Sequence, residues 1–503
     1  MNVPLHNGAP APGAGLLSAG DTERLPVPLV SVIVANWNGE RFLAGTLHAI
    51  LSQSVTAIEV IVADDASTDG SCALVEAIAA TDPRVRLLRA PANGGPAAAR
   101  NRALDAARGR WAAVVDSDDL LHPERLRRLV AAAEAAGSDI AADDLLIFDD
   151  GGVVPPSRML PPGSRQTFTV DAAGWIRANT LFAGGPMLGY LKPIFRREAL
   201  QRHGVRYDER LRIAEDYDFI LQLLLAGARF SVHPDLTYFY RKHAASISHR
   251  LSLRTLSAMA AANDVPLAEG APEVVRAALR RRAGSLSDAL AFEHLVAALK
   301  ARRPLEAMRQ LLHRPGAARP LAGAMGDRLR RLSRRRGGPQ AATGEGQVAL
   351  ITRQPLEGWE TESGRRLLRL VSALAGAGLA VDLLCPAPGA PATPQAPPPG
   401  VRRLLLRGNG MRDAGAATDA VPADDAAALF VAQHAHGAAI VLADGEEMAA
   451  LLPYSLRPEK GWAVLRGAGL PGAALPDWAG MVFDLQDGSA AGSLVDWAVR
   501  HGR

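Results

Sequence analysis

Four short apolar runs constrain this chain more than anything else in it. Val30-Ser-Val-Ile-Val-Ala35, Ile58-Glu-Val-Ile-Val-Ala63, Val85-Arg-Leu-Leu-Arg89 and Trp111-Ala-Ala-Val-Val115 have the length and β-branched composition of buried strands. Helical patterns separate them. Phe42, Leu43, Leu47, Ile50 and Leu51 fall at helical spacing within 41–52, a second helix is predicted over 71–80, and a Gly-rich turn at 93–95 leads into a third that runs to Ala107. Strand–helix alternation of this kind predicts an α/β fold with a largely parallel, right-handed, doubly wound sheet.

Each run ends in polar residues: Asn36 and Asn38 after the first, Asp64 and Asp65 after the second, Asn93 and Gly94 after the third, and Asp116, Asp118 and Asp119 after the fourth. In open α/β sheets ligands bind outside the carboxyl ends of the strands. A buried strand that delivers three acids to that edge is costly unless a cation meets them. Hard cations such as Mg2+ and Mn2+ prefer carboxylate oxygens; the alternative is a solvated Asp-rich turn before a helix starting within 121–125. Carboxylates can also hold ribose hydroxyls or base N–H groups, and a Gly-rich turn, a helix N-terminus and Arg100 suit a phosphate. No Gly-x-Gly-x-x-Gly turn follows the first strand and no Walker-type Gly-Lys-Ser/Thr is present, which disfavours a dehydrogenase or a P-loop enzyme.

In their order and spacing, Val32-Ile-Val-Ala-Asn-Trp-Asn38, Val62-Ala-Asp-Asp-Ala-Ser-Thr-Asp69, Asn93-Gly-Gly-Pro-Ala-Ala-Ala-Arg-Asn101 and Val115-Asp-Ser-Asp-Asp119 resemble the motifs of family 2 glycosyltransferases. Trp37 stands where that family usually has Tyr, leaving room for an aromatic wall to a base. The resemblance implies a GT-A fold, a nucleotide-diphosphate sugar donor (a UDP-sugar favoured) and Mn2+ or Mg2+. It further implies an acidic pair on a helix about a hundred residues after the metal motif, matched by Glu215-Asp216. By the same resemblance Asp216 is the general base, assisted by Glu215, and the reaction inverts the sugar. Asp64 and Asp65 would then hold base and ribose, Asp116 ribose or metal, and Asp118 with Asp119 the metal. Tyr240-Arg-Lys-His243 with the serines after it resembles a segment closing over the diphosphate; His243 would reach metal or phosphate there, or be a solvated loop histidine. Leu188–Arg196 resembles the strand before the base helix, and the Pro- and Gly-rich residues 153–190 read as an irregular acceptor loop.

Around the 27–250 catalytic domain lie a flexible tail (1–26), a basic helical segment (251–336), a linker (337–346) and a second, Rossmann-like α/β domain (347–503). Residues 300–336 hold twelve Lys/Arg against Glu306 and Asp327, a pattern fitting an anionic membrane face or a solvated linker. Without aromatic interleaving it gives no ground for nucleic-acid binding. The second domain is expected to bind acceptor, to regulate, or to be degenerate; Asp444, Glu446 and Glu447 are its candidate acceptor contacts, with a solvated turn the alternative.

Cys72 and Cys385 are far apart, which argues for a reducing compartment. No apolar run approaches the ~20 residues of a membrane span and no secretory leader is recognisable. The expectation is therefore a cytoplasmic enzyme, peripheral on the inner face of the plasma membrane. It would move one sugar to a glycan or polyprenyl-linked acceptor in bacterial surface-polysaccharide synthesis. A catalytically inactive, nucleotide-sugar-binding scaffold of the same assembly is the rival expectation.

Overall fold

The structure is a computed structural model. It describes residues 27–150, 156–161, 164, 166–243, 252–265, 267, 270–317, 347–352, 362–386, 401–406, 428, 431–432, 440–444, 451–455, 462–466, 481–484 and 490–501. The expected tail (1–26), the linker (337–346), the serines after His243, the Arg-rich end at 328–336, Glu446 and Glu447 lie outside these residues, as does the Asp444 side chain.

The predicted alternation is present. β1 (Val30–Asn36), α1 (Glu40–Leu51), β2 (Ile58–Asp64), α2 (Ser71–Ala79), β3 (Val85–Arg89), α3 (Pro96–Ala106) and β4 (Trp111–Asp116) follow one another. Their strands pair in parallel, with Val30 level with both Ile58 and Trp111. That register brings Asn36 level with Asp64 and Ala35 level with Asp116, so the polar strand ends share one edge. β1 and β2 are apolar on both faces because helices cover both, and nearly all of their residues are buried.

The chain continues through β5 (Leu120–Leu121), α4 (Arg125–Ala135), β6 (Ile140–Asp149), β7 (Ser157–Arg158), β8 (Phe168–Val170), α5 (Ala172–Ala178), β9 (Ile194–Arg196), α6 (Arg197–His203), α7 (Glu215–Leu225) and β10 (Phe230–Lys242). Among the described residues these strands form one sheet of order β3-β2-β1-β4-β9-β6-β10-β5, with β7 beside β6 and β8 beside β10. β9 runs antiparallel between β4 and β6, which makes the sheet mostly rather than wholly parallel.

Two expectations change in detail. Only Ile194–Arg196 of the run 188–196 is strand. Leu188–Tyr190 is a 3-10 turn, held where the Gly189 N–H donates to Asn179 Oδ1 (2.7 Å), and Pro193 then delays entry into the sheet. Residues 153–190 are also less irregular than their Pro and Gly content implied. Asp171 accepts from the Gly174 N–H (2.6 Å) as an N-cap and starts α5, which buries Trp175 and Ile176.

Beyond this sheet come α8 (Leu253–Ala261), α9 (Glu273–Lys300) and α10 (Pro304–His313). A second α/β unit then follows: β11 (Gln347–Ile351), α11 (Glu362–Gly376), β12 (Ala380–Pro386), β13 (Val401–Leu406), β14 (Ile440–Asp444), β15 (Trp462–Arg466), β16 (Met481–Asp484) and α12 (Ala490–His501). Its strands are all parallel in the order β13-β12-β11-β14-β15-β16, the reversal at the first strand that defines a Rossmann-like sheet. Ile351, Val441, Leu452 and Tyr454 belong to the same buried cluster as the core of the first sheet. Tyr454 packs against His122 (5.5 Å between ring centroids) and Phe239 (5.7 Å). Cys72 is half-buried on α2 and Cys385 is buried on β12.

Candidate active site

The strand ends open into a cleft of about 1330 Å³. Its walls are the β1–α1 loop with Trp37, the loop before α3, the end of β4, the segment from Asn179 to Lys192, the start of α7, Tyr240 and His243, and Arg254 and Arg282 from α8 and α9.

On the donor-motif side, the loops are tied to one another by their own polar side chains. Asp64 is buried and accepts from Asn36 Nδ2 (2.9 Å), the Ser67 hydroxyl (2.6 Å) and the Ser67 N–H (2.9 Å). Burial pushes its carboxyl up, but the bonds from Ser67 and Asn36 outweigh this and hold it below the usual range. Asp65 accepts from the N–H groups of Gly94 (3.0 Å) and Gly95 (2.6 Å), fastening the turn to the end of β2. Gly95 has φ +88°, and a Cβ there would meet Arg212 at 2.6 Å, so glycine is required. Arg212 donates to Asn93 Oδ1 (2.8 Å), bringing the segment before α7 across to this turn. Asn38, at φ 53°, accepts from the Thr68 N–H (2.8 Å). Asn36, Asn38, Asp65, Asn93 and the exposed Trp37 ring line the cleft; Asp64 sits behind them.

The three acids at the end of β4 take different surroundings. Their oxygens lie within 4.8 Å of one another, an arrangement that fits a hard cation. Asp118 is 30 % exposed, faces the cleft and lies 2.8 Å from His243 Nε2. Asp119 is 0 % exposed; Oδ2 accepts from the Tyr238 hydroxyl (2.6 Å) and Oδ1 from the Arg241 N–H (2.7 Å). The Tyr238 hydroxyl also accepts from the Asp116 N–H (3.2 Å), so one phenol pins both ends of the turn. Burial raises the carboxyl pKa of Asp118 and, more strongly, of Asp119, and the neighbouring acids raise both further. Carboxylates crowded in this way favour a bound cation.

Asp116 faces two cations. Lys192 Nζ lies 2.6 Å from Oδ2 and Arg100 Nη2 lies 3.1 Å from Oδ1. Burial pushes the Asp116 carboxyl up, and these two charges outweigh it and hold it below the ordinary range. Arg100 also reaches Glu215 (2.6 Å) and Asp216 (3.3 Å), while Lys192 lies 3.7 Å from Asp216. Arg100, expected beside a phosphate, is thus occupied by three carboxylates. Burial would lower the Lys192 ammonium pKa, but Asp116 and Asp216 hold it above the usual range. Arg125 aims this lysine: fully buried, it pairs with Asp143 (2.8 Å) and donates to the Lys192 carbonyl (2.5 Å).

The acidic pair opens α7 where expected. Ala214 has the left-handed φ of 67° and turns the chain so that Glu215 and Asp216 occupy the first helical turn, whose dipole favours acids. Both line the cleft. Burial and the adjacent Asp216 raise the Glu215 pKa against the pull of Arg100.

Lys192, Tyr238 and Arg241 were not singled out from the sequence. Lys192 did leave a signal: a lysine inside Leu188-Gly-Tyr-Leu-Lys-Pro-Ile-Phe195 must carry its ammonium into an apolar run, and needs an acid there.

The model of the family described as "Glycosyl transferase family 2" matches residues 31–198. The chain is 39% identical over 311 residues to succinoglycan biosynthesis protein ExoO of Rhizobium meliloti (strain 1021), covering 61% of this chain and 88% of that one. Succinoglycan biosynthesis protein ExoU of the same organism is 31% identical over 225 residues, covering 44% of this chain and 65% of its own. Among solved structures, S. aureus TarS 1-349 in complex with UDP-GlcNAc has a TM-score of 0.41 at 23% identity, covering 55% of this chain and 89% of that one. The mannosyltransferase PcManGT from Pyrobaculum calidifontis, in complex with GDP-Man and Mn2+, has a TM-score of 0.40 at 22% identity, covering 59% and 80%.

Proposed function

The chain belongs to glycosyl transferase family 2, and from that premise we propose that it transfers a single sugar, with inversion, from a nucleotide-diphosphate sugar to a glycan or polyprenyl-linked acceptor. The observation that carries this reading is the placement of Glu215 and Asp216 in the same cleft as Asp116 and Asp118, joined to Asp116 through Arg100 and Lys192. A sugar hydroxyl is a poor nucleophile and needs a base; Asp216, on the cleft wall, is the base proposed, and Glu215 orders Arg100 beside it. The family resemblance and the single candidate base, Asp216, support inversion.

Asp118, with Asp119 behind it and His243 beside it, is proposed to hold Mn2+ or Mg2+. When bound, the ion supplies charge neutralisation for the departing nucleoside diphosphate. Asp65, Asn36, Asn38 and Asn93 are proposed to receive the base and ribose, with Trp37 as the aromatic wall; a UDP-sugar is the donor favoured. Residues 27–250 are taken as the catalytic domain, 251–336 as the helical segment and 347–503 as the second domain. The relatives named for succinoglycan biosynthesis support a role in surface-polysaccharide assembly. Among the described residues no helix is long and apolar enough to cross a membrane, and peripheral placement on the inner face of the plasma membrane is proposed. An inactive scaffold is disfavoured by the assembly of acids and base helix around one cleft.

The test is a screen of UDP-, GDP- and dTDP-sugars for hydrolysis with Mn2+ or Mg2+. One donor is expected to be hydrolysed, and removing the metal should stop it. Binding of a donor with no hydrolysis or transfer under any metal would favour the scaffold instead.

A further inference from the structure

Three large apolar side chains of α10 face solvent: Leu305, Met308 and Leu312 are 87, 59 and 74 % exposed. Their spacing puts them on one side of the helix. Another side already holds α10 in place, with Ala307 buried and Leu311 packed into a small cluster with Phe292, Leu295 and Ala298 of α9. The helix therefore has one apolar stripe facing the protein and a second facing water, which its own packing does not explain. Leu299, at the end of α9, is also 49 % exposed. Lys300, Arg302, Arg303, Arg309 and Arg314 flank the stripe in sequence and are all exposed; Arg303 pairs with Glu306 (3.5 Å) and Arg314 with Asp288 (3.9 Å), and Glu306 is the only acid between 299 and 317.

We infer that α10 and the end of α9 form a docking face for an anionic lipid bilayer, the apolar stripe entering the headgroup boundary and the basic rim meeting lipid phosphates. An apolar stripe flanked by Lys and Arg is what such a surface selects. A second copy of this chain is the poorer occupant, because a symmetric contact would set two rims of like charge against each other. Nucleic acid would use the rim and leave the stripe in water.

α9 links this face to the cleft. Arg282 lines the cleft, and the helix runs on to Lys300, so at 1.5 Å per residue the face stands ~25 Å from that wall. The inference deepens the peripheral placement proposed above by naming the surface that carries it, and rests on the transferase reading only for its purpose, to bring the cleft to a polyprenyl-linked acceptor.

The experiment is co-sedimentation of the full chain at low salt with vesicles of phosphatidylcholine alone and of phosphatidylcholine with phosphatidylglycerol. It compares wild type with L305D/M308D/L312D and with R302E/R309E. Wild type is expected on the anionic vesicles only, and each variant should partition about tenfold less or weaker still. Equal sedimentation with neutral vesicles, no sedimentation of wild type, or unchanged partitioning of either variant overturns the inference. So does a wild-type dimer that the Asp variant dissociates, which would assign the stripe to a second copy. Donor binding, measured on the same proteins, is expected to be unchanged. Loss of lipid binding with donor binding intact supports the docking face, and failure of donor binding in wild type would count against the transferase reading alone.

Discussion

Lys192 Nζ lies 2.6 Å from Asp116 Oδ2 and 3.7 Å from Asp216 Oδ2, so one ammonium joins the acid at the end of β4 to the candidate base on α7. Lys192 is nearly buried; without it Asp116 keeps only Arg100, and breaking a buried pair costs up to about 3–5 kcal/mol. Lys192→Met keeps the length and drops the charge. It is expected to lose stability of about this size in urea unfolding and to lower the rate of sugar transfer. Unchanged unfolding and unchanged transfer would show that Arg100 alone suffices for Asp116.

Asp216 and Glu215 are neighbours with different surroundings. Asp216 keeps some exposure to the cleft, whereas Glu215 is buried and held by Arg100 at 2.6 Å. Asp216→Asn removes the base with little change in volume, and transfer is expected to fall about 10²- to 10⁴-fold with the thermal midpoint and donor binding retained. Glu215→Gln should cost stability and a smaller share of turnover. If Glu215→Gln proves the more damaging to turnover, the two roles are interchanged.

Much of this was legible in the chain because the first half alternates simply. β3 has the predicted bounds, β1 and β2 each run one residue further than expected, and α1 is shifted by one residue at both ends. Buried parallel strands advertise themselves as apolar runs, and their ends necessarily share an edge. The hidden parts depended on contacts distant in sequence. Tyr238 reads as one more aromatic in an apolar strand, and only the pairing of β10 with β5 carries its hydroxyl to Asp119. Arg100 was read as a phosphate ligand from its place after a Gly-rich turn; of the three acids that hold it, Asp116 ends β4 and the other two come from α7, more than a hundred residues away. α5 was missed because Pro and Gly dominate its surroundings, although Asp171 marked its start.

The Tyr238 hydroxyl donates to Asp119 at 2.6 Å and accepts from the Asp116 N–H at 3.2 Å. Tyr238→Phe leaves the ring in the core and removes both bonds, which should destabilise the protein by about 1–3 kcal/mol. It should also loosen the turn that presents Asp118. Losing a residue that supports a metal ligand typically costs about 10- to 100-fold in affinity. A Mn2+ titration followed by calorimetry is therefore expected to show weaker binding in Tyr238→Phe and none at this site in Asp118→Ala. Equal Mn2+ affinity in wild type and Asp118→Ala would remove Asp118 from the site.

His122, three residues beyond Asp119, is fully buried beneath Phe239 and Tyr454. Its Nδ1 accepts from the Glu124 N–H (3.1 Å), which requires an unprotonated nitrogen there. Burial, with Arg128 adding to it, lowers its pKa to about 3. An unfolded chain protonates the same ring near pH ~6.5. Between those values the unfolded state binds the extra proton, so stability rises with pH across this window. The contribution is fully present above ~6.5 and falls by up to ~1.4 kcal/mol per pH unit below it. Urea unfolding at pH 7 and pH 5 should accordingly differ by ~2 kcal/mol more in wild type than in His122→Gln, where no ring titrates. Carboxylates common to both proteins cancel in that comparison. Because Tyr454 lies on the ring, protection of the 451–455 amides, measured relative to their intrinsic exchange rate at each pH, should also fall in wild type as the pH drops. Parallel pH profiles for the two proteins would mean that the ring is hydrated or charged in the native state, and that the contact between the two sheets does not depend on its neutrality.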